Sequence, residues 1–354
     1  MIPGFPKHFI RKAGEKMGKY IIKRMIYLMI VFVIISFLMY ALYNLIPSDP
    51  ARAELEGQKQ SLKPEQYEIL YQQLREKYGL NDPLVVRYAR WFGFTKDKNG
   101  EFSGLLQGDF GYSNYFKRDV RQVIKEPMMN TLFLNIFSTI LALGITIPLG
   151  IRCAVKKHSK FDTSVQVLTI VGYSIPIYIT ALVFIYIFSV LLGWFPVSGA
   201  KTPGSNFTGI RYSLDKLYYI ALPLIVMTFG ALGGMTRYVR AAMIDSLSMD
   251  YIRTARAKGV KEKVVIYSHA WRNALLPVIT VIIGWFLGIF GGSVVIENTF
   301  SLNGMGALYW IGLNNLDFEL VLAMQMFYTI ISLVGALIID LSYGLVDPRI
   351  RVNK

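Results

Sequence analysis

The 354 residues are 53% hydrophobic and only 17% charged, yet 38 Lys and Arg stand against 23 Asp and Glu, a formal net charge of +15. A soluble domain of this length carries more charge and shorter apolar runs. The single cysteine, Cys153, excludes an intrachain disulfide and a cysteine-based metal site.

About 20 helical residues cross the ~30 Å of a bilayer's hydrocarbon. Six uncharged runs have that length: 25–46, 128–151, 164–192, 217–236, 273–296 and 320–339. Each is predicted to be helical, because every backbone N–H and C=O in lipid needs an internal partner. The expected fold class is therefore an all-α integral membrane protein with six transmembrane helices.

In chain order, residues 1–24 form a basic tail with seven Lys or Arg. The run at 25–46 is too long for a secretory h-region and lacks a small-residue cleavage site, so it reads as a retained first helix. Met17 offers an alternative start that keeps the basic flank. A polar insert of about 80 residues (47–127) follows, with helical spacing of Ile69, Leu70 and Leu74, a turn at Asn81-Asp82-Pro83 and a glycine-punctuated loop at 104–111.

Residues 128–342 hold the five further spans. In the third, Gly172, Ser174 and Pro176 mark a proline kink that frees a carbonyl. Such a kink suits a helix that lines a path or one that only packs; the three residues are path candidates, as are Gly288 of the fifth span and Glu297 at its external end. Gly284 and Gly288 also form a GxxxG pair that permits close helix approach. The three histidines are scattered, and no relay of Asp, Glu or His crosses mid-membrane, which disfavours an ion-driven secondary transporter. The tail is 343–354.

Short-loop Lys and Arg set topology. They number 22 in the N-terminal tail, the second-to-third and fourth-to-fifth connections and the C-terminal tail, against 3 in the other short loops. Both termini are therefore expected to be cytoplasmic and the insert external. The excess charge is the positive-inside signal, not a nucleic-acid surface.

The most informative stretch is the cytoplasmic loop 237–276, with eight Lys or Arg from Arg237 to Arg272. Asp250 is a good N-cap and Gly259 a good C′ residue. They bracket about two helical turns, Tyr251, Arg253, Thr254, Ala255, Arg256, Ala257 and Lys258 among them, with small alanines for a close partner. Two readings fit: a plug entering a cytoplasmic partner, or a basic helix on anionic headgroups.

The run Tyr251–Gly259, with His269 and Arg272-Asn273-Ala274-Leu275-Leu276-Pro277 after it, resembles the loop of binding-protein-dependent ABC importer permeases, in their peptide/nickel branch. So do Leu45-Ile46-Pro47-Ser48-Asp49-Pro50, Tyr78-Gly79-Leu80-Asn81-Asp82-Pro83, Gly108-Asp109-Phe110-Gly111, Gly172–Pro176, Val295-Ile296-Glu297-Asn298-Thr299-Phe300 with Gly304 and Gly306, and Asp347-Pro348-Arg349-Ile350-Arg351. The resemblance is to the B-type permease subunit of oligopeptide or dipeptide importers. The loop departs from the family-wide Glu-Ala-Ala opening at Arg253 and Thr254, keeping Ala255 and Gly259.

The resemblance implies a type I ABC importer permease in the cytoplasmic membrane of a prokaryote. It also implies a second homologous permease, two cytoplasmic ATPase subunits meeting Tyr251–Gly259, and an external peptide-binding protein. No G-x-x-x-x-G-K-[ST] loop is present, since Tyr20 follows Gly18-Lys19. No enzymatic activity, cofactor or metal is expected on this chain; ATP and Mg would sit on the partner ATPases. A nickel or metal-chelate permease is the alternative substrate reading, and a secondary transporter the alternative class.

Overall fold

A computed structural model describes residues 7–45, 50–55, 63–96 and 100–346. Residues 46–49 of the motif after the first span, 97–99 of the insert and the motif at 347–351 lie outside the described residues. Five helices are long and apolar enough to cross a membrane: Tyr20–Leu45, Val120–Val155, Gly209–Leu247, Glu262–Gly288 and Phe318–Leu341. The pair Lys160–Ser174 and Ile177–Leu191 makes a sixth if read as one broken span. The all-α, multi-span membrane class expected from the sequence is what the structure shows.

The chain divides into two units, the first formed by residues up to Ile124 with Ile311–Leu337. Helix α1 (Lys7–Leu45) starts well before the apolar run. The basic segment read as a tail carries seven Lys or Arg, both good helix formers, and no proline after Pro6, so the helix continues through it. In the insert, α2 (Pro50–Leu55) packs Ala51 and Leu55 on Tyr71 of α3 (Pro64–Lys77). Helix α4 (Leu84–Phe92) sets Tyr88, Trp91 and Phe92 on one face at i, i+3, i+4. That face meets α1: Tyr88 lies edge-on to Phe37 at 5.1 Å, and Trp91 lies 5.2 Å from Tyr40. The Tyr88 hydroxyl lies 2.7 Å from Ser36 Oγ, a buried polar pair within the aromatic contact.

The glycine-punctuated loop 104–111 is followed by a two-residue antiparallel hairpin, β1 (Tyr112–Ser113) and β2 (Arg118–Asp119). The hairpin is pinned by buried Asp317, which accepts from Ser113 Oγ at 2.5 Å and from the N–H groups of Asn114 and Tyr115. Asp317 immediately precedes α14 (Phe318–Val346), about 200 residues downstream of the hairpin.

The second unit runs from Lys125 to Trp310, with the helix end after Ile338. Its elements are most of α5 (Val120–Val155), α6 (Lys160–Ser174), α7 (Ile177–Phe184), α8 (Gly209–Leu247), α9 (Asp250–Ala257), α10 (Glu262–Val264), α11 (Trp271–Gly288), α12 (Val294–Thr299) and the start of α13 (Met305–Asn314). Two stretches, Ile185–Leu191 and Val265–Ala270, widen into π-helical turns. Helices α6 and α8 come close at Gly233, where a Cβ would press on the Thr169 carbonyl and Tyr173. Arg240 of α8 grips Asp162 of α6 with Nε and Nη2, each donating at 2.6 Å.

The GxxxG pair finds no partner surface among the described residues. A Cβ on Gly284 or Gly288 would meet nothing, so no described part of this chain approaches there. The close approach lies farther along, at Gly292 and Gly306, whose backbones would collide with any side chain on either. Spacing alone marks small residues, whereas contact needs a second surface opposite them.

Candidate functional site

The third run is not a kinked helix but a broken one. Pro176 forces the preceding residue out of the helical region, and Ile175 is extended at φ −81°, ψ 125°. Helix α6 ends at Ser174, α7 starts at Ile177, and the two differ in direction by 103°. The break lines an open cleft of about 490 Å³. Gly172, Tyr173, Ser174 and Pro176 form one wall, Met227, Gly230 and Ala231 of α8 another, and Ser293 and Ile296 a third. Gly172, Ser174 and Pro176 are thus brought together as path candidates, while Gly288 is not among the cleft residues.

Glu297 is also absent from the cleft lining, and its geometry is that of a cap. It is 2% exposed and accepts from Thr131 Oγ1 at 2.9 Å, from the Ala307 N–H at 2.8 Å and from the Ser293 N–H at 3.3 Å. Thr131 in turn accepts from the Met305 N–H at 2.8 Å. Together they cover N–H groups that the first turn of α13 cannot satisfy internally. Burial still pushes the Glu297 carboxyl above its ordinary value, opposed by the hydrogen bonds from Ala307, Thr131, Ser293 and Gly306. Gly304 is required here, because a Cβ would strike the Glu297 carboxylate. Spacing to Gly304 and Gly306 was the signal in the sequence; the cap itself was not legible.

Helix α9 has two unlike faces. Ile252 is 0% and Ala255 8% exposed, both packed with Met243, Val239, Val265 and Ala270 of this chain's own core. Tyr251, Arg253, Thr254, Arg256, Ala257, Lys258 and Gly259 are exposed. Two expectations are corrected. Asp250 is the first helical residue rather than the N-cap, a place taken by Met249 without a side-chain bond. Ala255 faces inward, because a helix of 3.6 residues per turn sets it beside Ile252, so it is not available to a partner. Gly259 does adopt the left-handed backbone, φ +73°, that stops the helix.

The helix is also tied down by polar contacts. Ser246 at the end of α8 donates to the Ala270 carbonyl at 2.7 Å. Its oxygen lies 2.9 Å from Tyr251 Oη, so with the serine proton already placed the tyrosine is the donor. Arg256 donates to both oxygens of Glu262, at 3.1 and 2.7 Å, and this pairing raises the arginine above its usual value.

Residues 146–352 match the family model described as "Binding-protein-dependent transport system inner membrane component". Residues 17–135 match "Binding-prot-dependent transport system membrane comp, N-term". The oligopeptide transport system permease protein AppB of Bacillus subtilis (strain 168) is 37% identical over 95% of this chain and 100% of its own length. A putative peptide permease protein of Brucella suis is 34% identical over 90% of this chain and 94% of that one. The glutathione transport system permease protein GsiC of Salmonella typhimurium is 32% identical over 95% and 99%. Among solved structures, the inward-facing MetNI methionine ABC transporter matches with a TM-score of 0.47 at 17% identity, over 62% of this chain and 96% of that one. The chain belongs to the family of binding-protein-dependent transport system inner membrane components, the permease subunits of ABC importers.

Proposed function

We propose that this chain is the permease subunit of an ATP-driven peptide importer. It works in the cytoplasmic membrane with both termini inside, paired with a second, related permease. Two cytoplasmic ATPase subunits receive α9, and an external binding protein delivers the peptide, with the insert as its docking element. The peptide assignment rests on the relatives named for oligopeptide and glutathione transport.

The observation that carries the mechanism is the division of α9. Its inner face is embedded through Ile252 and Ala255, while its outer face offers Tyr251, Arg253, Arg256 and Lys258. A push on the outer face cannot be absorbed locally, because Ser246 binds α9 and the start of α11 to the end of α8. Helix α8 also grips α6 through Asp162 and lines the cleft. Closure of the ATPase dimer would thus move α8, α9 and α11 together and change the cleft, an alternating-access step.

Ala257 is exposed, so Ala257→Trp is expected to leave the membrane level of the chain intact while abolishing uptake and leaving ATP hydrolysis uncoupled. Affinity-tagged wild type should carry ATPase subunits through purification, and a secondary transporter would not. In a deletion strain, labelled di- to octapeptides should be taken up. Nickel uptake in their place would move the reading to the metal-chelate branch.

A further inference from the structure

Arg237 stands six residues beyond Ala231, where α8 leaves the cleft. An arginine near the end of a membrane helix ordinarily extends its side chain away from the hydrocarbon, toward headgroups and water. This one turns back. Its Nε donates to the carbonyl of Gly233 at 3.0 Å, four residues earlier, so the side chain runs along α8 toward the cleft residues.

The guanidinium then lies 5.3 Å from the ring centre of Tyr173, itself part of the cleft wall. Gly230, Gly234 and Arg237 fall at i, i+4 and i+7, so they share one face of α8. A Cβ on Gly234 would meet nothing, which leaves space between the cleft and the guanidinium. Among the described residues no carboxylate forms an ion pair with Arg237, in contrast to Arg240 one turn on. Its Nε is used; its two terminal nitrogens are uncommitted among the described contacts and are oriented by the ring and the carbonyl.

We propose that Arg237, held by Tyr173 and the Gly233 carbonyl, is a carboxylate-binding subsite at the inner end of the cleft, and that it takes the C-terminal carboxylate of the peptide in transit. A guanidinium offers two parallel N–H donors that match a carboxylate, and one stacked on an aromatic ring is already ordered before the ligand arrives. The proposal rests on the peptide reading above and adds which end of the peptide the cleft reads.

The test uses the assembled transporter in proteoliposomes, with its own binding protein, and compares uptake of tetra-alanine with that of tetra-alanine amide. The quantity read is the acid-to-amide ratio in each variant divided by that of wild type, which cancels the binding protein's own preference. Arg237→Gln should lower this ratio about tenfold or more, the scale of a lost charge-assisted hydrogen bond. Amide uptake should persist, which shows that the variant assembles. Arg237→Lys should restore part of the ratio.

An equal fall for acid and amide in Arg237→Gln would overturn the proposal, and so would an unchanged ratio. If the equal fall tracks the anionic-lipid content of the vesicles, a headgroup phosphate is the arginine's ligand instead. Failure of wild type to move either peptide would overturn the peptide reading itself, and the wild-type arm reports that separately.

Discussion

Two bidentate arginine–carboxylate pairs sit in the same unit, and their surroundings separate them. Arg240 and Asp162 are 20% and 3% exposed, and they join helices 78 residues apart in sequence. Arg256 and Glu262 are 46% and 54% exposed, and they span six residues of one loop. The bonds are similar in kind; the solvent is not. Water screens the second pair to a small net value, whereas the first has lost its hydration and depends on its partner. The comparison teaches that the charge-rich loop is held mainly by its apolar inner face, and the helices behind it partly by a buried ion pair.

The largest effect comes from breaking the buried pair. Asp162→Ala leaves Arg240 partly buried without its carboxylate, and about 3 kcal/mol or more of stability should be lost. A clear fall in the thermal midpoint of the detergent-purified protein would register it. If the midpoint does not move, the two pairs are equivalent and the comparison fails.

A middle case is Glu297, buried like Asp162 but capped by N–H donors and a hydroxyl rather than by a cation. Glu297→Gln keeps one acceptor and should cost roughly 1 kcal/mol. Burial raises the folded-state value of this carboxyl, so its contribution is fully present below the ordinary glutamate value of 4.5 and is lost as pH rises through the raised one. The deficit of the Gln variant should therefore be greatest at acidic pH and shrink toward neutrality. Thermal midpoints across that range decide the sign, and a gap that widens with pH would mean the site holds the charged form.

The smallest effect is expected at the exposed pair. Glu262→Ala should change stability by no more than about 0.5 kcal/mol, and added salt should shrink even that. Chemical denaturation at low and high ionic strength checks it. A loss as large as that of Asp162→Ala would show that exposure was the wrong criterion.

Much of this was legible locally. The α9 segment could be delimited to within a residue because a left-handed glycine ends a helix wherever it occurs, and Gly259 does so. Its N-terminus was less legible, since Asp suits both the cap and the first turn. Pro176 announced an irregularity, read as a kink, because the clash with the preceding residue is a property of the dipeptide. The 103° bend was not in the dipeptide, since a proline fixes where a helix stops and not where the next one packs.

Hydrophobic run length, the positions of Lys and Arg, and the turn residues thus determined by themselves that this is a multi-span helical membrane protein with a short basic helix in one loop. Each depends on residues near one another in the chain and on the cost of leaving backbone or charge in hydrocarbon. Tertiary structure alone decided that Ala255 faces inward, that Gly292 rather than Gly288 meets another backbone, that Glu297 caps a helix, and that Arg237 turns back toward Tyr173. Those outcomes depend on which surface lies opposite, and partners tens to hundreds of residues away leave no periodicity to read.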